Sequence, residues 1–204
     1  MAQNNYFDEV IAGNHQINGQ EFGRTRAMAR AQAWYKNLAQ KNSPLDLSIK
    51  GRSTQKIEPG KMYAFRYDPK TKDKLPYYDV FPLIFPVDMA EGGFYGLNFH
   101  YLPTQLRAKL LNALYPYQTD GRMDEKTKLD ISYKILKGTE RVRAFQPCFK
   151  RYLFNHMRSP FLSVYSSEWE TALLLPTQRF HKASAEKVWQ DSISKINTRP
   201  KRRK

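Results

Sequence analysis

The chain has 204 residues and a formal net charge of +15, because 34 lysines and arginines outnumber 19 aspartates and glutamates. Its single cysteine, Cys148, excludes an intrachain disulfide, and no apolar run approaches the roughly 18 residues that a membrane-spanning helix needs. Hydrophobic residues at 41% and aromatic residues at 14% suffice for the core of one domain, while the charge is typical of proteins that bind nucleic acid or another polyanion.

The first 59 residues are predicted to hold one helix between two irregular segments. Residues 1–20 are polar and interrupted by Gly and Asn, so we expect a flexible arm. The start of this arm lacks the basic and apolar regions of a signal peptide, which favours a cytoplasmic protein without a membrane partner. Residues 21–42 combine good helix formers with apolar residues at three- and four-residue spacing, which predicts a basic amphipathic helix. Residues 43–59 are predicted to be a linker.

Three strands are predicted after this linker. Tyr63, Phe65 and Tyr67 occupy every second position, which favours the buried face of a strand over a surface that stacks bases. The extended segment 75–87 contains three prolines, so this second strand should lie at an edge or a bend. A third strand is expected at residues 94–101.

Helices dominate the second half of the predicted fold. They are expected at residues 103–115, 124–136, 147–157, 168–175 and 184–196, with a short strand at 161–165. The predicted class is therefore α+β, with a small antiparallel sheet (about residues 60–101) packed with several helices in a single core domain of residues 60–197. Residues 198–204 offer no apolar side chain, which predicts a disordered basic tail.

The sequence contains no recognisable catalytic or metal-binding pattern. Its four histidines lie far apart, and none has a second His or Cys at metal-ligand spacing. A Walker loop, a G-x-S-x-G elbow and an H-E-x-x-H motif are all missing. Asp79 and Asp88 are acids that a sheet could bring together around Mg²⁺, but nothing in the sequence fixes their geometry, and Cys148 is expected to be a buried thiol. We therefore expect no enzyme activity, no metal and no cofactor.

The positive charge is concentrated in three stretches. One is the predicted helix at 21–42; residues 137–158 carry six bases against Glu140 alone, and residues 179–204 carry nine bases against two acids. Such stretches can contact phosphates without reading bases, and the affinity they supply falls steeply with salt. The candidate DNA contacts are Arg24, Arg26, Arg30, Arg141, Arg143, Lys150, Arg151, Arg199, Lys201, Arg202, Arg203 and Lys204.

Four motifs resemble a known family. They are GKMYAFRYDPKTK at 60–72, LPYYDVFPL at 75–83, GFYGLNFHYLP at 93–103 and EWETALLLP at 168–176. With them, about residues 57–192 resemble virion proteins of T-even-type tailed phages, in particular the DNA end protector family. The resemblance implies a protein that caps the ends of the packaged genome, completes the head and shields injected DNA from host exonuclease. It implies no catalytic motif and no particular site residue.

Two functions are compatible with these observations. The favoured one is a non-enzymatic virion protein, assembled in the host cytoplasm, that binds the ends of double-stranded DNA through phosphate contacts and binds other virion proteins of the head or neck. The alternative is a structural connector of the phage neck, tail or baseplate whose basic arms bind acidic neighbouring subunits. A third interpretation, a nuclear-import signal at residues 200–204, is disfavoured by the phage-like core.

Overall fold

A six-stranded antiparallel sheet forms the centre of the fold. The computed structural model of the chain describes residues 6–12, 16–17, 20–21, 52–174 and 179–197. The strands are β1 (Gln16–Ile17), β2 (Gln20–Glu21), β3 (Ser53–Thr54), β4 (Met62–Ala64), β5 (Tyr78–Asp79), β6 (Leu83–Ala90), β7 (Gly93–Asn98), β8 (Phe149–Leu153), β9 (Phe161–Val164) and β10 (Phe180–His181). The helices are α1 (Tyr6–Ala12), α2 (Thr104–Thr119), α3 (Glu125–Thr139), α4 (Trp169–Leu174) and α5 (Ala185–Asn197). The main sheet has the order β3-β9-β4-β6-β7-β8, and β1–β2 and β5–β10 form two-stranded sheets. The predicted α+β class is confirmed.

The N-terminal segment contains a helix that packs on the core, so the prediction of a flexible arm over residues 1–20 is wrong for the residues of α1. Phe7 is fully buried, and its backbone N–H donates to Asn112 Oδ1 at 2.8 Å. The Tyr6 ring stacks on Tyr115 with 5.0 Å between centroids. Apolar residues at helical spacing form one face of this short helix, a pattern too brief to stand out among polar neighbours. Glu21 belongs to β2, and residues 22–42 of the predicted basic helix lie outside the described residues.

The predicted second strand is central rather than peripheral. Segment 75–87 divides into β5 and β6, and β6 lies between β4 and β7 in the main sheet. The pairing of β6 with β7 is irregular between Pro86 and Asp88. Pro86 stays in register with Gly96, and the residue that the pairing skips is Val87. A proline removes one ladder donor, and a strand interior tolerates it beside such a bulge. Of the two predicted alternatives, the edge is therefore wrong for β6, whereas a bend agrees with the irregularity that follows Pro86.

The main sheet also recruits segments predicted to be helix or linker. Residues 147–157, predicted as a helix, form the end of a 3-10 helix, then β8, then a second 3-10 helix at Phe154–His156. Tyr152 of β8 pairs with Phe94 of β7, and a Cβ on Gly93 would lie 1.9 Å from the Tyr152 carbonyl oxygen, so glycine is required there. Residues Ser53–Thr54 of the predicted linker pair with β9 as an edge strand.

Alternation along the strands gives the sheet two buried faces. One face packs against α1, α2 and α4 in the larger core, which also buries Cys148 as predicted. The other face carries a mainly aromatic cluster, which consists of Ile84 and six aromatic residues: Tyr63, Phe65, Tyr67, Phe94, Tyr152 and Phe161. The interpretation of the Tyr63–Tyr67 alternation as a buried face is thus confirmed.

Most helix predictions after residue 102 are confirmed with small changes at the ends. Helix α2 extends four residues beyond the predicted range, and α3 begins after Asp124, whose side chain accepts from the backbone N–H of Thr127 at 2.8 Å. Helix α5 follows Ser184, the predicted cap, and packs near the 3-10 helix of Phe99–Tyr101. Within the described ranges, every helix is too short or too polar to cross a membrane.

Candidate nucleic-acid interface

A cleft of about 630 Å³ lies beside the edge strand β8. The turn that follows β4, strand β5 and helix α5 form its other borders. Its lining is dominated by tyrosines and cations: Tyr67, Tyr77, Tyr78, Tyr101 and Tyr152, and Lys70, Lys150, Arg151 and Lys195. A cleft of this size lies within the range of about 300–1,000 Å³ typical of ligand sites.

The tyrosines of the cleft differ in how much of the ring stays open. Tyr67 and Tyr152 belong to the buried aromatic cluster and form the cleft floor. Tyr77 and Tyr78 are only half-buried. Tyr78 stacks on His181, 5.3 Å away with an interplanar angle of 17°, through the pairing of β5 with β10. These two half-buried rings were not predicted from the sequence, although a Tyr–Tyr pair in a proline-rich segment was a visible signal.

A lysine from a distant segment fixes the turn that borders the cleft. Lys182 Nζ donates to the carbonyl oxygens of Lys72, Asp73 and Leu75 at 2.7, 3.1 and 3.2 Å. Asp68 belongs to the same turn, and its carboxylate accepts hydrogen bonds from Lys72 and from the distant Arg158. These hydrogen bonds hold the pKa of the Asp68 carboxyl below its usual range. These contacts set the position of Lys70, which is exposed and forms no ion pair with another described residue.

Lys150 places a poorly solvated cation in the cleft wall. It lies on β8 opposite Gly96, and its ammonium is 4.2 Å from the centroid of the Tyr101 ring. Burial lowers the pKa of this ammonium to about 8, and the nearby charge of Lys195 contributes to the same direction. Among the residues that the structure describes, no carboxylate forms an ion pair with these two cleft lysines.

The predicted DNA contacts are only partly brought together. Lys150 and Arg151 both border the cleft, although Arg151 donates to the Glu91 carbonyl oxygen at 3.0 Å. Arg141 lines a separate depression of about 270 Å³ beside α3, and Arg143 is exposed at the start of a 3-10 helix. Lys70 and Lys195 are cleft cations that were missing from the prediction. The remaining predicted contacts lie outside the described residues: Arg24, Arg26, Arg30, Arg199, Lys201, Arg202, Arg203 and Lys204.

A buried polar network supports the cleft from behind. Asp79, only 4% exposed, accepts hydrogen bonds from the Phe81 backbone at 3.1 Å and from Asn98 Nδ2 at 3.2 Å. His100 Nδ1 lies 2.7 Å from the same carboxylate, and because a carboxylate only accepts, this nitrogen carries the proton. Burial by itself raises the pKa of Asp79, but His100 and the backbone and amide donors outweigh it and hold that pKa below 3.8. Asn98 also donates to the Tyr152 hydroxyl at 2.9 Å, which joins the network to the cleft floor.

A buried arginine connects this network to α5. Arg107 is 2% exposed, and its guanidinium donates to the carbonyl oxygens of Leu102 and His100 at 2.8 and 3.2 Å. It also lies over the Phe99 and Trp189 rings, 5.5 and 5.4 Å from their centroids. Trp189 Nε1 donates to the His100 carbonyl at 2.8 Å. Helix α5, which carries Lys195, is thus held at the cleft by specific contacts.

Asp79 and Asp88, the two acids that were candidates for a metal site, interact with different partners. Asp79 belongs to the buried network, whereas Asp88 forms an ion pair with Lys137 of α3. Within the described residues, no group of three or more His, Cys, Asp or Glu side chains is arranged to hold a metal ion. The chemistry that this arrangement supports is the binding of an anion that carries or adjoins a planar ring.

Comparison with known proteins identifies the family. Neither a curated protein nor a solved structure matches the chain. A family model described as the phage T4 terminal DNA protecting protein matches residues 14–192, which include all of the main sheet and every cleft-lining residue except Lys195. The match covers most of the 204 residues. This chain therefore belongs to the family of phage terminal DNA protecting proteins.

Proposed function

We propose that this protein binds the ends of packaged double-stranded DNA in the virion and shields them from host exonuclease, without catalysing a reaction. The observation that carries the proposal is the family match over residues 14–192. The proposed mechanism is occlusion: a protein bound over the terminus denies an exonuclease the end at which it must begin.

The electrostatics of the chain support this proposal. The net charge of +15 favours association with a polyanion. In the cleft, Lys70, Lys150 and Lys195 lack acidic partners among the described residues. Arg141 and Arg143 are exposed and can contact phosphates farther along a bound duplex. The basic residues outside the described ranges are proposed to add further phosphate contacts.

A comparison of open and closed DNA tests the proposal. Affinity is measured for a blunt linear duplex and for a closed circle of equal length over a salt series, and exonuclease digestion of the linear duplex is followed with and without protein. We expect tighter binding to the linear duplex, a steep loss of affinity with salt and protection from digestion. Equal affinity for the two forms together with unprotected ends would refute end binding.

An exposed apolar patch favours an additional role in head completion, or the alternative role of a connector. Met89 and Phe154 are 57% and 40% exposed at one end of the sheet, on either side of the buried Phe94 ring. Exposed apolar side chains of this size are common in protein interfaces. Met89→Glu with Phe154→Glu should reduce incorporation into virions while end binding persists. Normal incorporation would argue that another surface contacts the neighbouring virion proteins.

A further inference from the structure

We propose that the tyrosine-lined cleft binds the 5′-terminal nucleotide of a DNA strand, with its phosphate at Lys70, Lys150 and Lys195 and its base against Tyr77 and Tyr78. This inference rests on the proposed function, since it assigns the place where the DNA end is held. It goes further by naming the chemical group recognised, a terminal phosphate monoester next to an unstacked base.

The cations of the cleft favour a monoester over the phosphodiesters inside a strand. A phosphate monoester carries nearly two negative charges at neutral pH, whereas a phosphodiester carries one. Lys70 comes from the turn after β4, Lys150 from β8 and Lys195 from α5, so the three ammonium groups border the cleft from different sides. Such an arrangement complements a compact, doubly charged anion at the end of a strand.

Asp79, the acid among the described residues that line the cleft, does not cancel this charge. Asp79 lies at the buried end, where its carboxylate already accepts from the Phe81 N–H, Asn98 and His100. Its charge is therefore spread over donors inside the protein. The Lys150 ammonium, by contrast, lies over the Tyr101 ring and forms no ion pair with another described residue. An entering phosphate would supply a charged hydrogen-bond acceptor for this ammonium.

The half-buried tyrosines explain why a terminal nucleotide fits better than an internal one. Tyr77 and Tyr78 line the cleft and are half-buried, and since His181 stacks on one face of the Tyr78 ring, a base would stack on the opposite face. Bases stack on aromatic rings of this kind without sequence preference. A base inside a duplex is stacked on both sides and paired, so its ring faces are unavailable. A base that leaves the stack most easily is one whose pairing is already weakened, as at an end. The cleft volume of about 630 Å³ accommodates one nucleotide rather than a duplex.

The test uses three DNA molecules of equal length, and the affinity of the full chain for each is measured by fluorescence anisotropy. The first has one open end with a 5′-phosphate, the second has the same end with a 5′-hydroxyl, and the third is a sealed dumbbell. We expect the 5′-phosphate to tighten binding about tenfold or more over the 5′-hydroxyl, the range of a charge-assisted contact. Both open ends should bind more tightly than the dumbbell.

Matched variants then locate the effect. Lys150→Gln and Lys70→Gln should each remove most of the preference for the 5′-phosphate, whereas Lys109→Gln, the same charge change on the exposed face of α2, should keep it. Lys70 is exposed in a turn, so its variant keeps the test valid even if Lys150→Gln folds poorly. Tyr78→Leu should weaken binding to open ends about tenfold while Tyr78→Phe preserves it, because only a planar ring supplies base stacking.

The outcomes separate this inference from the proposed function. If wild-type protein prefers open ends but treats 5′-phosphate and 5′-hydroxyl alike, or if the cleft variants behave like Lys109→Gln, the cleft assignment is wrong and end binding stands. If the dumbbell binds as tightly as both open hairpins, end binding itself fails and the cleft assignment fails with it.

Discussion

Replacing Lys150 by Met removes a positive charge while keeping a side chain of similar length on the Tyr101 ring. Burial lowers the pKa of the Lys150 ammonium from 10.5 to about 8. A pKa difference of one corresponds to about 1.4 kcal/mol, so keeping this group charged in the folded protein costs up to about 3 kcal/mol at neutral pH. The ring contact returns about 1–2 kcal/mol, which the Met variant loses. We therefore expect Lys150→Met to increase the free energy of unfolding by about 1–2 kcal/mol at pH 7.

The sign of the pH dependence follows from the same pKa values. Below about pH 8, the lysine is charged in both the folded and the unfolded chain, and the full cost applies. Between about 8 and 10.5, the unfolded chain binds more protons than the folded one, so wild-type stability rises with pH relative to the variant. The advantage of Lys150→Met should therefore shrink by about 1–2 kcal/mol between pH 7 and pH 9.5.

Urea unfolding followed by circular dichroism measures this difference. Wild type, Lys150→Met and the exposed control Lys109→Met are compared at both pH values, so that the titration of other groups cancels. Lys109→Met should change the free energy of unfolding by less than about 0.5 kcal/mol at either pH. If Lys150→Met is less stable than wild type at pH 7, or if its advantage does not decline with pH, the Lys150 ammonium does not carry an uncompensated cost of burial.

Three further predictions concern the buried network, the C-terminal residues and the DNA contacts. Asp79→Asn should lower the free energy of unfolding by about 3 kcal/mol at pH 7. This difference between wild type and variant should shrink below pH 3.8, because the wild-type protein loses the contribution of the carboxylate as the pH approaches the lowered pKa of Asp79. An equal urea midpoint for the two proteins at pH 7 would contradict this prediction. Deleting residues 199–204 should leave the melting temperature nearly unchanged and weaken DNA binding, whereas a large drop in melting temperature would show that this segment is docked. Replacing Arg26, Arg30 and Arg151 together by Gln should reduce the slope of log K against log salt by up to about 2.7, at about 0.9 per contact; an unchanged slope would place these residues away from DNA.

The fold was predictable where local signals and tertiary structure agree. Helices α2, α3 and α5 have apolar residues at helical spacing and recognisable ends, such as Asp124 before α3. The error at β8 has a physical cause: Phe149, Leu153 and Phe154 also follow helical spacing, and the strand forms because β7 offers an unpaired edge. That pairing joins residues more than 50 positions apart, so no local window contains it.

The prolines of segment 75–87 predicted an edge or a bend, and the choice between the two depends on the rest of the sheet. Prolines in segment 75–87 disfavour an interior strand when each residue is assumed to need its ladder hydrogen bond. The pairing of β6 with β7 skips Val87, directly after Pro86, so the strand is irregular where the proline stands. Whether a bulge exists depends on the register with the partner strand β7. The sequence shows that prolines interrupt this strand, while the bulge that accommodates them depends on strand pairing.

Only part of the candidate site could be predicted from the sequence: Lys150 and Arg151 were among the predicted contacts, whereas Lys70 and Lys195 were not. The sequence predicts the bases of residues 137–158 as one group of DNA contacts, yet only Lys150 and Arg151 of the four candidates in that stretch line the cleft. Arg141 of the same stretch borders a different depression. The cleft instead combines Lys70, Lys150 and Lys195, whose positions in sequence share no pattern. Charge counts predicted a polyanion partner, whereas the place of contact depends on the fold.

Arg107 and Lys150 illustrate how a structural charge differs from a binding charge. Arg107 donates to two carbonyl oxygens and lies over two aromatic rings, so the protein itself solvates its guanidinium and nothing further is required. Lys150 has one ring contact and no acidic partner among the described residues, and it borders an open cleft. Its ammonium therefore gains more from an incoming anion than Arg107 does, since the cost of burial has not been offset within the protein. A residue that weakens the fold and strengthens binding is expected at a functional site rather than in a core.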